Sequence, residues 1–200
     1  DVYKRQVVSI IAGFGTVQIA ANGVANSLDS MGCIVGQAMN LAMITVIGRC
    51  VGAGDSGQVR YYTKKLLKIT YLCTFMVNSV ILLCLPWILK CYGLSTETTQ
   101  LSYILVMIHN GMAMFLWPAS FVLPNMLRAC NDVRFTMVLS IFSMFMFRIG
   151  FSYIIGVNMG YGAIGVWIAM VLDWIFRVIC FVSRYLSGHW LKTAELKDNR

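Results

Sequence analysis

Two hundred residues, 58% of them hydrophobic and only 12% charged, with a mean hydropathy of +0.73, exclude a soluble domain, since soluble chains carry about 25% charged residues. The same figures exclude a disordered chain, which combines low hydrophobicity with high charge. The net charge of +8 raises nucleic-acid binding, but the basic residues sit in short gaps between long uncharged runs, as topology signals do. No nucleic-acid partner is expected, and what remains is a polytopic membrane protein with the lipid bilayer as its solvent.

The chain opens on DVYKRQ (1–6), which lacks signal-peptide architecture and looks like translated adapter sequence. It is set aside as a non-native leader. Uncharged stretches then run from Gln6 to Leu28, Ser30 to Gly48, Ile69 to Leu89 and Thr98 to Leu127. Two more follow: Phe135 to Ile155 with Arg148 inside, and Gly162 to Ser183 with Asp173 and Arg177 inside. None alternates with period two, which argues against a barrel. Spans that must satisfy their own backbone groups are then helices. The expected class is an all-α polytopic membrane helix bundle, and on hydropathy alone Asp29 marks a break that gives six spans.

The loops between these runs are short, so neighbouring helices are antiparallel. One side receives Arg49, Arg60, Lys64, Lys65, Lys68, Arg128, Arg134, Arg184, Lys192, Lys197 and Arg200, whereas the other receives only Lys90. This asymmetry is a positive-inside signal, so the 49–68 and 128–134 loops and the C-terminus are expected in the cytoplasm. Trp87, Tyr92, Tyr161, Tyr185 and Trp190 fall near helix ends, where amphipathic rings favour the headgroup region. The seven cysteines contain no C-x-x-C pair, and neither a metal site nor a disulfide framework is expected.

Four stretches together resemble the multidrug and toxic compound extrusion (MATE) transporters: GTVQIAANGVANSL (15–28) with the helix ending IGRCVGAGD (47–55), LRACNDVRFT (127–136), GAIGVWIAMVLDWIFR (162–177) and the closing RYLSGHW (184–190). The family is built from two six-helix lobes, and the resemblance, over about Gly15 to Trp190, is to the C-terminal lobe. It implies five full transmembrane helices plus a seventh-helix stub, with residues 7–190 as the lobe and 191–200 as a cytoplasmic tail. It also implies that 16–48 is one long helix, with further spans at 66–90, 99–127, 135–157 and 162–187.

The activity implied is secondary active efflux of hydrophobic organic cations, driven by Na⁺ or H⁺, across the plasma (inner) membrane. No enzyme activity and no cofactor beyond the coupling ion are expected. The missing N-terminal lobe of the same protein would supply the other half of the cavity. A lipid-linked oligosaccharide flippase of the same superfamily is the alternative. Many members carry an acid in the tenth helix, but here that neighbourhood reads MAMFLWPAS, with Trp117 and no carboxylate.

Ionisable and amide groups at membrane depth mark pathways or pairs. Candidates for the substrate and ion pathway are Gln37, Asn40, His109, Asn110, Arg148 and Asp173. Asp173 and Arg177, four apart on one helix face, alternatively form a structural pair. His109 either carries protons or hydrogen-bonds a neighbouring helix. Asn22, Asn26 and Gln37 lie near multiples of four apart and so share a stripe. Pro118 and Pro124 bend their helix, and Gly32/Gly36 and Gly156/Gly160 form small-residue pairs for close helix approach.

Overall fold

A computed structural model describes residues 2–196 as helices joined by turns of a few residues. They are α1 (Val2–Ala12), α2 (Thr16–Gly52), α3 (Ser56–Cys91), α4 (Thr96–Ala129), α5 (Val133–Asn158), α6 (Gly162–Leu186) and α7 (His189–Thr193). Helices α2 to α6 are the five long and apolar enough to cross a membrane, and among the described residues there is no strand. Helix α1 begins inside the 1–6 stretch set aside as leader, and α7 contains the first residues of the expected 191–200 tail. Lys197 and Arg200 lie outside the described residues.

Asp29 does not interrupt α2. With no Gly–Pro punctuation beside it, the helix continues for 37 residues, about 55 Å at 1.5 Å per residue, well beyond the roughly 30 Å hydrocarbon core. The turn after it is made by Gly54 at φ +72, a left-handed conformation that costs glycine nothing. Asp55 then caps α3, its Oδ1 accepting from the Gln58 N–H at 3.0 Å. Ser95 does the same for α4 through the Thr98 N–H at 3.3 Å. These side chains satisfy amide donors that a helix leaves unpaired at its start.

Two helices depart from regular α geometry. In α4, Pro118 lacks an N–H, and the turn widens over Pro118–Val122 until the Leu123 N–H donates to Pro118 O. Proline and such wide turns are the ordinary causes of helix distortion. In α5 the wide turn extends over Met144–Asn158 and closes with the Met159 N–H on Ile154 O at 3.0 Å. No proline explains it, and the sequence predicts a plain helix there. Its effect is to bring Ser143, Arg148, Ser152 and Gly156, spaced five, four and four residues apart, onto the face packed against α6.

The interior is two apolar clusters separated by a polar belt. One cluster gathers Met43, Ile47, Val59, Leu127, Phe181 and Trp190 at the end holding the α2–α3 and α4–α5 turns. The other gathers Ile11, Leu28, Leu85, Leu89, Leu105 and Trp167 at the opposite end. Polar side chains tie the helices between them. Asn110 Nδ2 donates to Asn78 Oδ1 at 2.8 Å, and Asn78 Nδ2 donates to Thr74 O at 2.9 Å. Gln18 Oε1 accepts from the Ala163 N–H at 2.6 Å, and Asn22 Oδ1 accepts from Trp167 Nε1 at 2.9 Å. Interhelical hydrogen bonds in membranes are worth only about 0.6 kcal/mol each on average, so close backbone approach carries much of the packing.

That approach is made at particular glycines. A Cβ on Gly36 would lie 1.9 Å from the Trp117 ring, and one on Gly32 would lie 2.5 Å from Asn78 Oδ1. Gly156 meets Gly165 of α6, where an added Cβ would sit 2.8 Å from the Gly156 nitrogen. Gly160, which the sequence pattern couples to Gly156, instead forms the turn before α6 at φ +75.

At the turn end, two of the sequence stretches singled out above meet. Arg184 grips Asp132 with both nitrogens, Nε to Oδ2 at 2.8 Å and Nη2 to Oδ1 at 3.2 Å. The guanidinium also lies 4.4 Å from the Phe135 ring centroid. Cys130, in the same turn, is fully buried. Burial pushes its thiol up to about 12, with the Asp132 charge and Cys50 adding to the rise.

Two outcomes follow from this packing. Gly165→Ala should lower the thermal midpoint through overpacking worth about 1–3 kcal/mol, whereas Gly23→Ala, where nothing lies within 4 Å of the added Cβ, should not; detergent-solubilised melting curves distinguish them. Because the thiolate is the reacting form, a variant retaining only Cys130 should resist maleimide at pH 7–8, while one retaining only the exposed Cys91 should label; mass shifts on intact protein give the answer.

Candidate functional site

A partly open cavity of about 620 Å³ lies in the polar belt between α2, α4, α5 and α6. One wall is a stripe of α2 made by Asn22, Asn26, Asp29, Cys33, Gln37 and Asn40. Their three- and four-residue spacings place them on a single helix face. The opposing wall is aromatic: Trp117 and Phe121 of α4, and Trp167 and Trp174 of α6. Trp117 and Phe121 stack with centroids 5.2 Å apart.

A carboxylate and an imidazole meet at this cavity. His109 Nδ1 lies 3.0 Å from Asp29 Oδ1, with the histidine side chain 3% exposed and the aspartate 27% exposed. Nδ1 is not aligned to donate along that line, so the contact is electrostatic rather than a formed hydrogen bond. The imidazole is clamped edge-on between Trp167 and Trp174, at 4.9 and 4.6 Å. Asp29 in turn accepts from Cys33 Sγ at 3.2 Å. The ring therefore has little freedom, whereas the carboxylate retains an open side toward the cavity.

Asp173 has the opposite character. It is fully buried, and Arg148 Nε lies 3.1 Å from its Oδ2 while Arg177 Nε lies 3.0 Å from its Oδ1. Ser143 Oγ donates to the same Oδ1, and Arg177 Nη2 also donates to Ser140 O at 3.1 Å. One carboxylate is thus held by two guanidiniums and a hydroxyl from α5 and α6. Removing the carboxylate would leave two guanidiniums without their anion, which is the expensive outcome.

The residues singled out from the sequence divide accordingly. Gln37, Asn40, His109 and Arg148 line the cavity, and Asn40 Oδ1 accepts from Asn125 Nδ2 at 2.9 Å. Asn110 lies behind it, on Asn78, and Asp173 lies behind it, between its arginines. Asn22 and Asn26 share the stripe with Gln37, joined by Asp29. Asp29 is the residue sequence reasoning passed over. On hydropathy alone it reads as a helix break, although an acid in the middle of an apolar run is itself a signal of a partnered or functional group. Asn78 was missed too, and a lone Asn in a 36-residue span gives no pairing information.

These features define a multi-pass membrane helix bundle with a polar-striped, aromatic-walled cavity at mid-depth. The chain belongs to the MatE family, whose model matches residues 2–154. It is 22% identical over 186 residues to the "Probable multidrug resistance protein NorM" of Thermotoga maritima, an alignment covering 93% of this chain and 40% of that protein. It is 30% identical over 71 residues to the "Uncharacterized transporter YisQ" of Bacillus subtilis, covering 36% of this chain and 16% of that protein. The chain therefore spans well under two thirds of either relative.

The two carboxylates should respond differently to amidation. Asp173→Asn leaves two guanidiniums sharing no anion and should cost about 3 kcal/mol or more. Asp29→Asn, with its open side on the cavity, should cost less than about 1 kcal/mol. Unfolding of the two variants in mixed detergent micelles compares them directly.

Proposed function

We propose that this chain is one lobe of a secondary active transporter that exports hydrophobic organic cations by alternating access, driven by inward movement of H⁺ or Na⁺. The observation that carries the reading is Asp29, a cavity-facing carboxylate opposite a wall of four aromatic rings. Aromatic faces attract cations, most strongly where water is excluded. A carboxylate beside them supplies the compensating charge that a bound organic cation needs away from water. The amides of Asn26, Gln37 and Asn40 offer adaptable hydrogen bonds suited to varied substrates.

Coupling follows from competition. A coupling ion and a cationic substrate that both neutralise Asp29 cannot do so together, so each favours a different state of the carrier. His109, fixed between two tryptophans, holds the carboxylate's position and is the natural partner in a proton relay. The second lobe completes the cavity, and the arginine- and lysine-rich turns face the cytoplasm of the plasma (inner) membrane, together with the C-terminus.

A flippase for lipid-linked oligosaccharides needs several cationic groups in the cavity to hold pyrophosphate. The described lining contains one Lys or Arg, Arg148, and that side chain lies on Asp173. The geometry favours cation export over pyrophosphate binding.

The test is efflux from cells expressing the full-length transporter that contains this lobe. Energised cells should accumulate less ethidium than controls, and Asp29→Asn should remove the difference with expression unchanged. Accumulation equal to that of controls in cells confirmed to hold the intact protein would sink the proposal. A collapse of efflux on abolishing the proton gradient, or the sodium gradient, identifies the coupling ion.

A further inference from the structure

Helix α3 carries a basic face that neither the cavity nor the fold uses. Tyr61, Lys64, Lys65 and Lys68 are all exposed, and their spacings of three and four place them on one side of the helix. The same side continues without interruption through Leu72, Met76, Val80, Leu83 and Trp87, exposed by 52–76%. Those residues form the helix's apolar outer surface, which in a membrane faces acyl chains. The lysines therefore stand directly above a lipid-facing stripe.

Their depth follows from helix geometry. Trp87 and Tyr92 are exposed near the far end of α3, where aromatic rings mark the interface. Counting back about 20 residues from Trp87, the length that spans a hydrocarbon core of roughly 30 Å, reaches residue 67. Lys68 then sits at the edge of the core, and Lys64 and Lys65 sit at headgroup level. Ser56–Cys91 contains no acidic residue, and the preceding acid, Asp55, is engaged as the helix cap. Lys65 lies 5.5 Å from the Tyr61 ring centroid. Arg60, by contrast, turns to the packed side and lies over the Trp190 ring at 5.6 Å.

We propose that this face of α3 binds an anionic phospholipid in the leaflet at the α2–α3 end, with the phosphate held by Lys64, Lys65 and Lys68. Its acyl chains lie along Leu72, Phe75 and Met76. The charge is complementary, and the apolar stripe continues below the lysines at the depth an acyl chain would occupy. A soluble phosphate would satisfy only the charged half of this surface. The inference does not depend on the transport reading.

The experiment reconstitutes the full-length protein that contains this chain in vesicles of equal phosphatidylglycerol and phosphatidylcholine, extracts it in mild detergent and weighs the lipids that remain bound. Phosphatidylglycerol should be enriched over phosphatidylcholine at about 0.05 M NaCl, and the enrichment should fall at about 0.5 M as screening shortens the reach of the lysines. The triple variant Lys64→Gln/Lys65→Gln/Lys68→Gln should lose the enrichment by on the order of 10-fold or more. Lys90→Gln, at the opposite end of α3, should keep it. Equal retention of both lipids by the unmodified chain, or undiminished enrichment in a triple variant with native helix content, overturns the proposal. So does displacement of the lipid by millimolar inorganic phosphate. If the triple variant does not fold, the salt dependence of the unmodified chain decides.

Discussion

Hydrocarbon offers no hydrogen bonds, so every polar group placed in the belt of this bundle needs a partner made of protein. The demand is greatest for Asp173, which is fully buried with a charge that lipid cannot solvate. Its partners, Arg148 and Ser143 on α5 and Arg177 one turn along α6, fix how those two helices lie. With that geometry set, the backbone contact of Gly156 with Gly165 becomes possible, and the wide turn of α5 finds its register. Arg148 has a second position in the arrangement, since it also reaches the cavity wall. The cavity's shape on that side is therefore inherited from an ion pair behind it.

Three of the described carboxylates, Asp29, Asp132 and Asp173, are of two kinds. Asp132 and Asp173 are locked by arginines with good geometry and little solvent, and they hold turns and helices together. Asp29 is held on one side only, by His109 and Cys33, and is open on the other. A group with one free side can exchange partners, which a locked one cannot do without unfolding its surroundings. The same contrast runs through the amides. Asn78 and Asn110 pair with each other between α3 and α4, while Asn26 and Gln37 present themselves to the cavity.

Much of the fold was legible because bilayer thickness and backbone saturation leave few choices. The bounds of α4 to α6 follow to within a few residues from charged and turn-forming residues, and the long α2 follows from the family resemblance against a hydropathy minimum at Asp29. Helix α3, however, begins at Ser56 rather than near 66, so most of the expected 49–68 loop is helix, because lysines on an exposed helix face lower the hydropathy without breaking the helix. What the sequence did not reveal was pairing. The i,i+4 spacing pointed to Asp173 with Arg177, but Arg148 lies 25 residues upstream, and only the fold brings it to the same carboxylate. Asp29 and His109 are further apart still in sequence, which hid the cavity's acid behind its appearance as a helix break. The α5 wide turn left no local signal, since the segment contains no proline to mark it.

The widened turn at Pro118–Val122 has a consequence for how this segment can change over evolutionary time. A wide turn accommodates an extra residue without lengthening a loop, so everything after it is rotated by about 100° relative to an unbroken α-helix. Asn125 and Arg128 reach Asn40 and Thr136 only in the rotated phase. A one-residue deletion there would leave the span almost as long and as apolar as before, yet turn its second half onto a different face. In this helix, an insertion or deletion of a single residue acts as a change of phase, and hydropathy profiles would not register it.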